Sequence, residues 1–331
     1  MNNYAYPRSS RLLWIDYMKV LGIYFIVLGH FFSYGNKYIY TFSVPLFFSI
    51  SGFLCHFENN RLYLKKVFYN LVIPMLIIFA TLTSKVMFHS INDGTFSLVN
   101  LLSYIAYGIA GYYKSLGILW FVYTLIVLKL IYIITFKNIY LQIGLIICLP
   151  IIAIYSQQTN EQTNISVLEE DANGLINICV AYPFFFLGNV LSHFRVKLDK
   201  YNHYIQQLII AALAVVTIFW CGKHNDLALM YLNGYGSNYV LFLLGGIAGI
   251  TLTYIISKWL AKFNSRIIRL LSKGTILILG YHMIFKGYMR ALFPNVSWLD
   301  FLLAFFILIC FIPIISIAQR YFPIILGKYR K

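Results

Sequence analysis

Long apolar runs recur along almost the whole chain and constrain its fold more than any other feature. A helix needs roughly 20 apolar residues to cross the hydrocarbon core of a bilayer, and runs of about that length are separated here only by short polar connections. Of the 331 residues, 60% are hydrophobic and 11% are charged, whereas soluble domains carry roughly a quarter charged residues. The sequence therefore predicts an all-α polytopic membrane protein and excludes a soluble enzyme.

The apolar runs predict about ten transmembrane helices in one membrane domain that covers residues 1–331. A further apolar segment, 98–113, is too short to cross and is expected to lie at the surface or to re-enter. The predicted spans lie near residues 12–34, 40–57, 67–88, 117–136, 139–156, 174–194, 204–222, 237–257, 270–288 and 297–318.

Basic residues between the predicted spans fall mainly on one side of the membrane. With ten spans, 18 Lys and Arg residues lie on the side of the two termini and six lie on the other side. Because basic connections stay in the cytoplasm, both termini are predicted to be cytoplasmic and the acidic segment 161–171 to lie outside. Membrane orientation thus accounts for the net charge of +16, and we expect no nucleic-acid partner.

Three ionisable residues interrupt the first predicted span. Asp16, Lys19 and His30 are spaced by three and eleven residues, which places them on one side of a helix, with Lys19 and His30 about 16 Å apart along its axis. Ionisable groups inside a span are costly and by default mark function. Singly, Lys19 could extend to the headgroups with Asp16 as its partner, and His30 could be a structural histidine. The shared stripe favours a functional site.

The first span resembles the acyltransferase family 3 of membrane O-acyltransferases. Lys19, ten residues and His30 are similar to the family's Arg/Lys-x10-His signature. The Trp-Ile-Asp sequence before Lys19 and the Leu-Gly pair before His30 look most like the fucose 4-O-acetylase-like branch. Later motifs follow in the family's order along nearly the whole chain: the run 44–53 with Ser51-Gly52, Leu119-Trp120-Phe121, Phe186-Leu187-Gly188 and the segment 272–282 that ends at His282.

One motif departs from the family pattern. Many members carry Arg-x-x-Arg in the basic segment after the second helix, whereas here Lys65 and Lys66 are followed by Tyr69 and Asn70. The assignment of donor contacts in this segment therefore rests on charge alone.

The resemblance implies an acyl-CoA donor, usually acetyl-CoA, and an acceptor hydroxyl on a sugar or polysaccharide. It implies an enzyme of the inner (cytoplasmic) membrane, embedded in the lipid bilayer, with no metal and no permanently bound cofactor. Basic residues would contact the donor phosphates, although Arg61, Lys65 and Lys66 could equally serve only to orient the protein. The candidate catalytic residues are His30, Asp16 and Lys19; the candidate donor-binding residues are Lys19, Arg61, Lys65 and Lys66; the candidate acceptor-binding or supporting residues are His282, Trp120 and Ser51. His282 could instead be a structural histidine, Trp120 an interface anchor and Ser51 a packing residue.

Two alternatives stay open at the level of the sequence. His30 could deprotonate the acceptor hydroxyl, since an imidazole titrates near neutrality, or it could accept the acyl group itself as an acyl-imidazole. The whole set of Asp16, Lys19, His30 and His282 could instead form the ion pathway of a transporter or flippase. A transporter often shows an internal repeat, and the pattern of the first span does not recur before His282.

Overall fold

A computed structural model describes residues 11–32, 35–57, 59–160, 173–294 and 296–327, which are almost entirely helical. Arg8, the acidic segment 161–171, Lys328, Arg330 and Lys331, on which the predicted orientation partly rests, lie outside the described residues. The helices are α1 (Leu13–Phe31), α2 (Asn36–Tyr40), α3 (Ser43–Phe53), α4 (Asn60–Val67), α5 (Ile73–Asn92), α6 (Leu98–Ala110), α7 (Tyr113–Leu116), α8 (Trp120–Thr135), α9 (Ile139–Asn160), α10 (Ile178–Ser192), α11 (Arg195–Lys200), α12 (Tyr204–His224), α13 (Tyr239–Leu260), α14 (Arg266–Lys273), α15 (Thr275–Leu292) and α16 (Ser297–Tyr321).

Seven helical segments in the described residues are long and apolar enough to cross a membrane, and the bent pair α14–α15 raises the number to eight. These eight coincide with eight of the predicted spans, so the prediction of a multi-pass, all-helical membrane protein is confirmed. The predicted spans 40–57 and 174–194 correspond to α3 and α10, which have only 11 and 15 residues. The count of ten and the cytoplasmic termini therefore stay predictions. The segment 98–113 forms the short apolar helix α6.

Helix α1 lies at the centre of the bundle. Of the membrane-spanning part of α1, 67% is buried inside the protein, which is the largest share among the candidate spans of the described chain. It packs against α3, α13, α14, α15 and α16. Because protein surrounds it, its ionisable side chains face neighbouring helices and internal cavities rather than lipid.

Two glycines bring α3 and α10 into backbone contact. A Cβ atom at Gly52 would overlap the carbonyl oxygen of Phe185, and one at Gly188 would overlap that of Ser49. Small residues at facing positions are how membrane helices approach closely without a hydrophobic driving force. The two glycines of the family motifs thus fix α3, which forms one wall of the cavities described below.

Two helix breaks shape the basic end of the molecule, which we define as the end where α1 begins. Between α4 and α5 the helix widens into a π-helical turn, Phe68–Val72, because Pro74 has no N–H to donate to the carbonyl of Asn70. Between α14 and α15 the axis bends by 81° at Gly274. A Cβ there would overlap the side chain of Ile315, so only glycine allows this approach.

The C-terminal end of α1 is held by an arginine. Arg290 of α15 donates hydrogen bonds to the backbone oxygen of Phe31, at 3.0 Å, and to the carboxylate of Asp300 on α16. Asp300 is 2% exposed, and a buried carboxylate needs such a partner. The arginine therefore joins α1, α15 and α16 next to His30.

Candidate active site

Three cavities follow one another along one face of α1. A proximal cavity of about 530 Å³ opens at the basic end, a central cavity of about 300 Å³ comes next, and a distal cavity of about 330 Å³ contains His30. Lys19 lines the first two cavities and Ile26 lines the last two. Lys19, Ile23, Ile26 and His30 follow at intervals of three or four residues, which is one face of a helix. The three cavities therefore lie in a row along α1 from the basic end to His30, and we refer to this row as the path.

The proximal cavity is strongly basic. Arg11, Lys19, Arg195 and Lys273 line it together with Asp16 as the only acidic residue among its lining residues. These four cations come from α1, α11, α14 and the residues before α1, and only the fold brings them together. Such a concentration of positive charge attracts an anionic ligand.

The carboxylate of Asp16 is hydrogen-bonded on both of its oxygens at the N-terminal end of α1. Both oxygens of its carboxylate accept from Arg11, at 2.6 and 2.8 Å, and Ser272 of α14 donates to it at 2.6 Å. The residue is 5% exposed. A bidentate charge-assisted pair is among the strongest polar contacts in proteins. The hydrogen bond from Ser272 joins this end of α1 to α14.

The central cavity has two cations in otherwise mostly apolar walls. Lys19 of α1 and Lys129 of α8 both line it, and Ser51 of α3 lies in its wall. The amine of Lys129 is 4.0 Å from the Sγ atom of Cys55, which in turn lies 2.9 Å from the hydroxyl of Tyr63. Lys129 was not among the predicted site residues, because one lysine in an apolar run gives no sign of what it faces.

In the distal cavity, His30 contacts Tyr40. The Tyr40 hydroxyl lies 3.2 Å from Nδ1 of His30, and the two ring centroids are 5.8 Å apart. A Cβ at Gly29 would overlap the Tyr40 ring, so the glycine before His30 makes room for this contact. Sequence reasoning missed Tyr40 because it follows His30 by ten residues and reaches it only through the turn into α2.

His282 and Trp120 both lie close to His30 or to its cavity in the structure. The ring centroids of His282 and His30 are 5.2 Å apart, although α15 and α1 are far apart in the sequence. Trp120, the first residue of α8, is 8% exposed and lines the distal cavity. Four of the predicted residues therefore line these cavities, namely Lys19, His30, Trp120 and Ser51. His282 lines none of the three and lies beside His30.

The other predicted donor-binding residues lie elsewhere. Arg61, Lys65 and Lys66 are exposed on α4 and line none of the three cavities within the described chain. Arg61 instead lies with Lys137 in a separate open depression. Asn70, which the family comparison singled out as a departure, does line both the proximal and the central cavity.

Comparison with known proteins identifies the family of the chain. The family 3 model that is described as an acyltransferase domain matches residues 12–318. Among curated proteins and solved structures, none matches the chain significantly. The matched region extends from the start of α1 into α16. The chain therefore belongs to this family of membrane acyltransferases.

Proposed function

We propose that the protein transfers an acyl group, most simply acetyl, from acyl-CoA to a hydroxyl of a cell-surface or exported sugar or polysaccharide. The observation that carries this proposal is the path along α1, which starts among four cations and ends at His30. Acyl-CoA has phosphates that require a basic site and a narrow arm that suits an apolar passage. The path offers both in the right order.

The dimensions of the donor fit the spacing of Lys19 and His30. Those residues are eleven positions apart, or about 16 Å along the helix axis. The pantetheine arm has about 13 bonds from its phosphorus to its sulfur, and at three bonds per 3.3–3.6 Å it reaches about 15 Å. Phosphates held at Lys19 and Lys129 would therefore present the thioester to His30.

Transfer replaces the C–S bond of the thioester by a C–O ester bond to the acceptor. His30 removes the proton of the acceptor hydroxyl as that oxygen attacks the acyl carbon, and the proton leaves with the sulfur of CoA as a thiol. For Nε2 to serve as the base, Nδ1 carries the hydrogen of the neutral ring and donates it to the hydroxyl oxygen of Tyr40, 3.2 Å away. An acyl-imidazole on His30 is the alternative route to the same products.

The other predicted residues have supporting roles in this proposal. Asp16 holds the start of α1, and so Lys19, against α14 through its hydrogen bond from Ser272. Ser51 lines the passage for the pantetheine arm, and Trp120 provides an aromatic face for a sugar in the distal cavity. Arg61, Lys65 and Lys66 add to the positive potential of the basic end, which draws the donor to the protein.

The proposed orientation puts the basic end in the cytoplasm. Acyl-CoA is made there, and the positive-inside rule assigns the same side to the basic connections. The distal cavity then lies toward the opposite face of the inner membrane. The Trp14-to-Lys19 sequence and Leu28-Gly29-His30 support the fucose 4-O-acetylase-like branch.

The test measures ester-linked acetate on the surface glycans of a strain that lacks the gene. The strain is complemented with the wild type, with His30→Ala, or with His224→Ala as a control at an exposed histidine of α12. We expect wild type and His224→Ala to restore the acetate and His30→Ala, at equal expression, to fail. If acetate never changes while a solute or a lipid-linked sugar accumulates, a transporter replaces the acyltransferase.

A further inference from the structure

Four cations along the path form no ion pair with a carboxylate among the described residues. They are Arg195, Lys273, Lys19 and Lys129. All four are only partly exposed. In the proximal cavity, Arg11 is neutralised by its pair with Asp16, which leaves the other cations of that cavity uncompensated. Removing a cation from water without an anion is costly, so the four together indicate a ligand with several negative charges.

The four cations fall into two groups by the cavity that they line. Arg195 and Lys273 line the proximal cavity alone, and Lys129 lines the central cavity alone. Lys19 lies between the groups, because it lines both cavities. The positive charge is therefore divided between two successive parts of the path.

Lys19 and Lys129 lie at similar distances from the distal cavity. Lys129 follows Trp120, a residue of that cavity, by nine positions on α8, or about 14 Å along the helix axis. Lys19 precedes His30 by eleven positions on α1, or about 16 Å. Both values are close to the reach of about 15 Å of a pantetheine arm, so this pair suits the diphosphate at the end of that arm.

Acyl-CoA carries its negative charge in two places that match the two groups of cations. The diphosphate next to the pantetheine arm carries about two negative charges, and the phosphate monoester on the 3′ carbon of the ribose carries about 1.5–2 more at pH 7. About six bonds separate the 3′-phosphorus from the nearer phosphorus of the diphosphate, which is a reach of about 7 Å. The nucleotide lies on the opposite side of the diphosphate from the arm, and therefore on the side of the proximal cavity.

We infer that Arg195 and Lys273 bind the 3′-phosphate of the donor, so that the protein selects acyl-CoA over donors that lack this phosphate. A guanidinium matches the oxygens of a phosphate with two parallel N–H groups, and an ammonium binds it as a point charge. Lys19 and Lys129 bind the diphosphate, which 3′-dephospho-CoA also carries. This inference rests on the proposed function and specifies the donor of that site.

The experiment measures the Kd of CoA and of 3′-dephospho-CoA by isothermal titration calorimetry. The full chain is purified in nanodiscs of phosphatidylcholine, whose headgroups carry no net charge. The salt concentration is about 0.15 M, at which exposed charges more than about 8 Å apart are largely screened. We expect the wild type to bind CoA roughly 10–100-fold more tightly, since two charge-assisted hydrogen-bonding groups are lost with the 3′-phosphate.

Single substitutions separate the two groups of cations. Because the cations are partly exposed, Arg195→Gln and Lys273→Gln should each weaken the binding of CoA roughly three- to tenfold and leave that of 3′-dephospho-CoA unchanged. Lys129→Gln should weaken both ligands by the same factor, and Arg195→Lys, which keeps the charge, should retain most of the preference. Lys197→Gln is the matched control, because Lys197 is an exposed cation of the same helix α11 that lines none of the three cavities; it should match the wild type with both ligands.

Two results would overturn the inference. One is a wild type that binds CoA and 3′-dephospho-CoA with equal Kd. The other is an equal loss of both ligands in Arg195→Gln and Lys273→Gln, which would mean that these cations act on the diphosphate or only through the overall charge. A wild type that binds neither ligand and releases no CoA from acetyl-CoA would instead overturn the proposed function.

Discussion

Lys19→Gln tests the donor path in the most quantitative way. Lys19 lies where the proximal and central cavities meet, and the pantetheine arm reaches about 15 Å, close to the rise of about 16 Å from Lys19 to His30. The lysine should therefore contact a phosphate while the thioester is at His30. Loss of a hydrogen bond between charged groups costs about 1.5–3 kcal/mol, which corresponds to a donor KM roughly 10–150-fold higher.

The assay follows CoA release at varied acetyl-CoA with saturating acceptor. Because a phosphate remote from the reacting carbon is bound equally in the ground state and the transition state, kcat should change little. S-acetylpantetheine, which has no phosphates, provides the donor control, since Lys19→Gln and wild type should use it with the same KM. Lys85→Gln, at an exposed lysine of α5, provides the control for loss of one positive charge.

Two results would refute this reasoning. A Lys19→Gln protein with the wild-type KM for acetyl-CoA and a lower kcat would place Lys19 in the chemical step rather than at the phosphates. An equal rise of KM for acetyl-CoA and S-acetylpantetheine would show that the substitution distorts the passage instead of removing a phosphate contact.

Three further predictions concern packing and positioning. Gly188→Ala places a Cβ on a backbone oxygen of α3, so we expect the free energy of unfolding to fall by about 1–3 kcal/mol and the apparent Tm in detergent to fall with it. Gly144→Ala is the control, because a Cβ there has no atom within 4 Å, and it should leave the Tm unchanged. Asp16→Asn weakens a bidentate ion pair. Because the arginine is partly exposed, we expect the free energy of unfolding to fall by only about 1 kcal/mol, which the same Tm measurement detects. Tyr40→Phe removes the contact to Nδ1 of His30 and should lower kcat roughly three- to tenfold at unchanged donor KM.

One result would contradict each of these three predictions. An unchanged Tm for Gly188→Ala would mean that α3 and α10 do not touch through their backbones. Full inactivation of folded Asp16→Asn, without a change in Tm, would make Asp16 a participant in the chemistry rather than a support for α1. Wild-type kcat in Tyr40→Phe would mean that another group orients His30.

The position of α1 and the face of α1 that lines the cavities could be predicted from the sequence, because both follow from local patterns. An apolar run of sufficient length predicts a span, and a polar stripe at helical spacing predicts the face that lines the cavities. The span near 270–288 was less well predicted, because the chain bends by 81° at Gly274. At this bend Gly274 packs closely against Ile315 of α16, a contact between distant residues that no local pattern reveals.

Contacts between distant residues were beyond the reach of sequence reasoning. Arg195 and Lys273 join Lys19 in the proximal cavity only because the start of α11 and the end of α14 lie beside the start of α1. Lys65 and Lys66 seemed equally suited to the donor by charge, yet α4 presents them away from the cavities. Charge alone indicates which end of the molecule is basic, and the fold decides which cations face the path.

We propose that the row of cavities along α1 joins a donor site at one face of the membrane to His30 and an acceptor site beyond it. Purified protein in sealed vesicles tests this most directly, with acetyl-CoA added only outside and alkali-treated surface polysaccharide trapped only inside. The account predicts acetate esters on the trapped polysaccharide with wild type and none with His30→Ala. Ester formation only after the vesicles are permeabilised, so that donor and acceptor share one side, would contradict it.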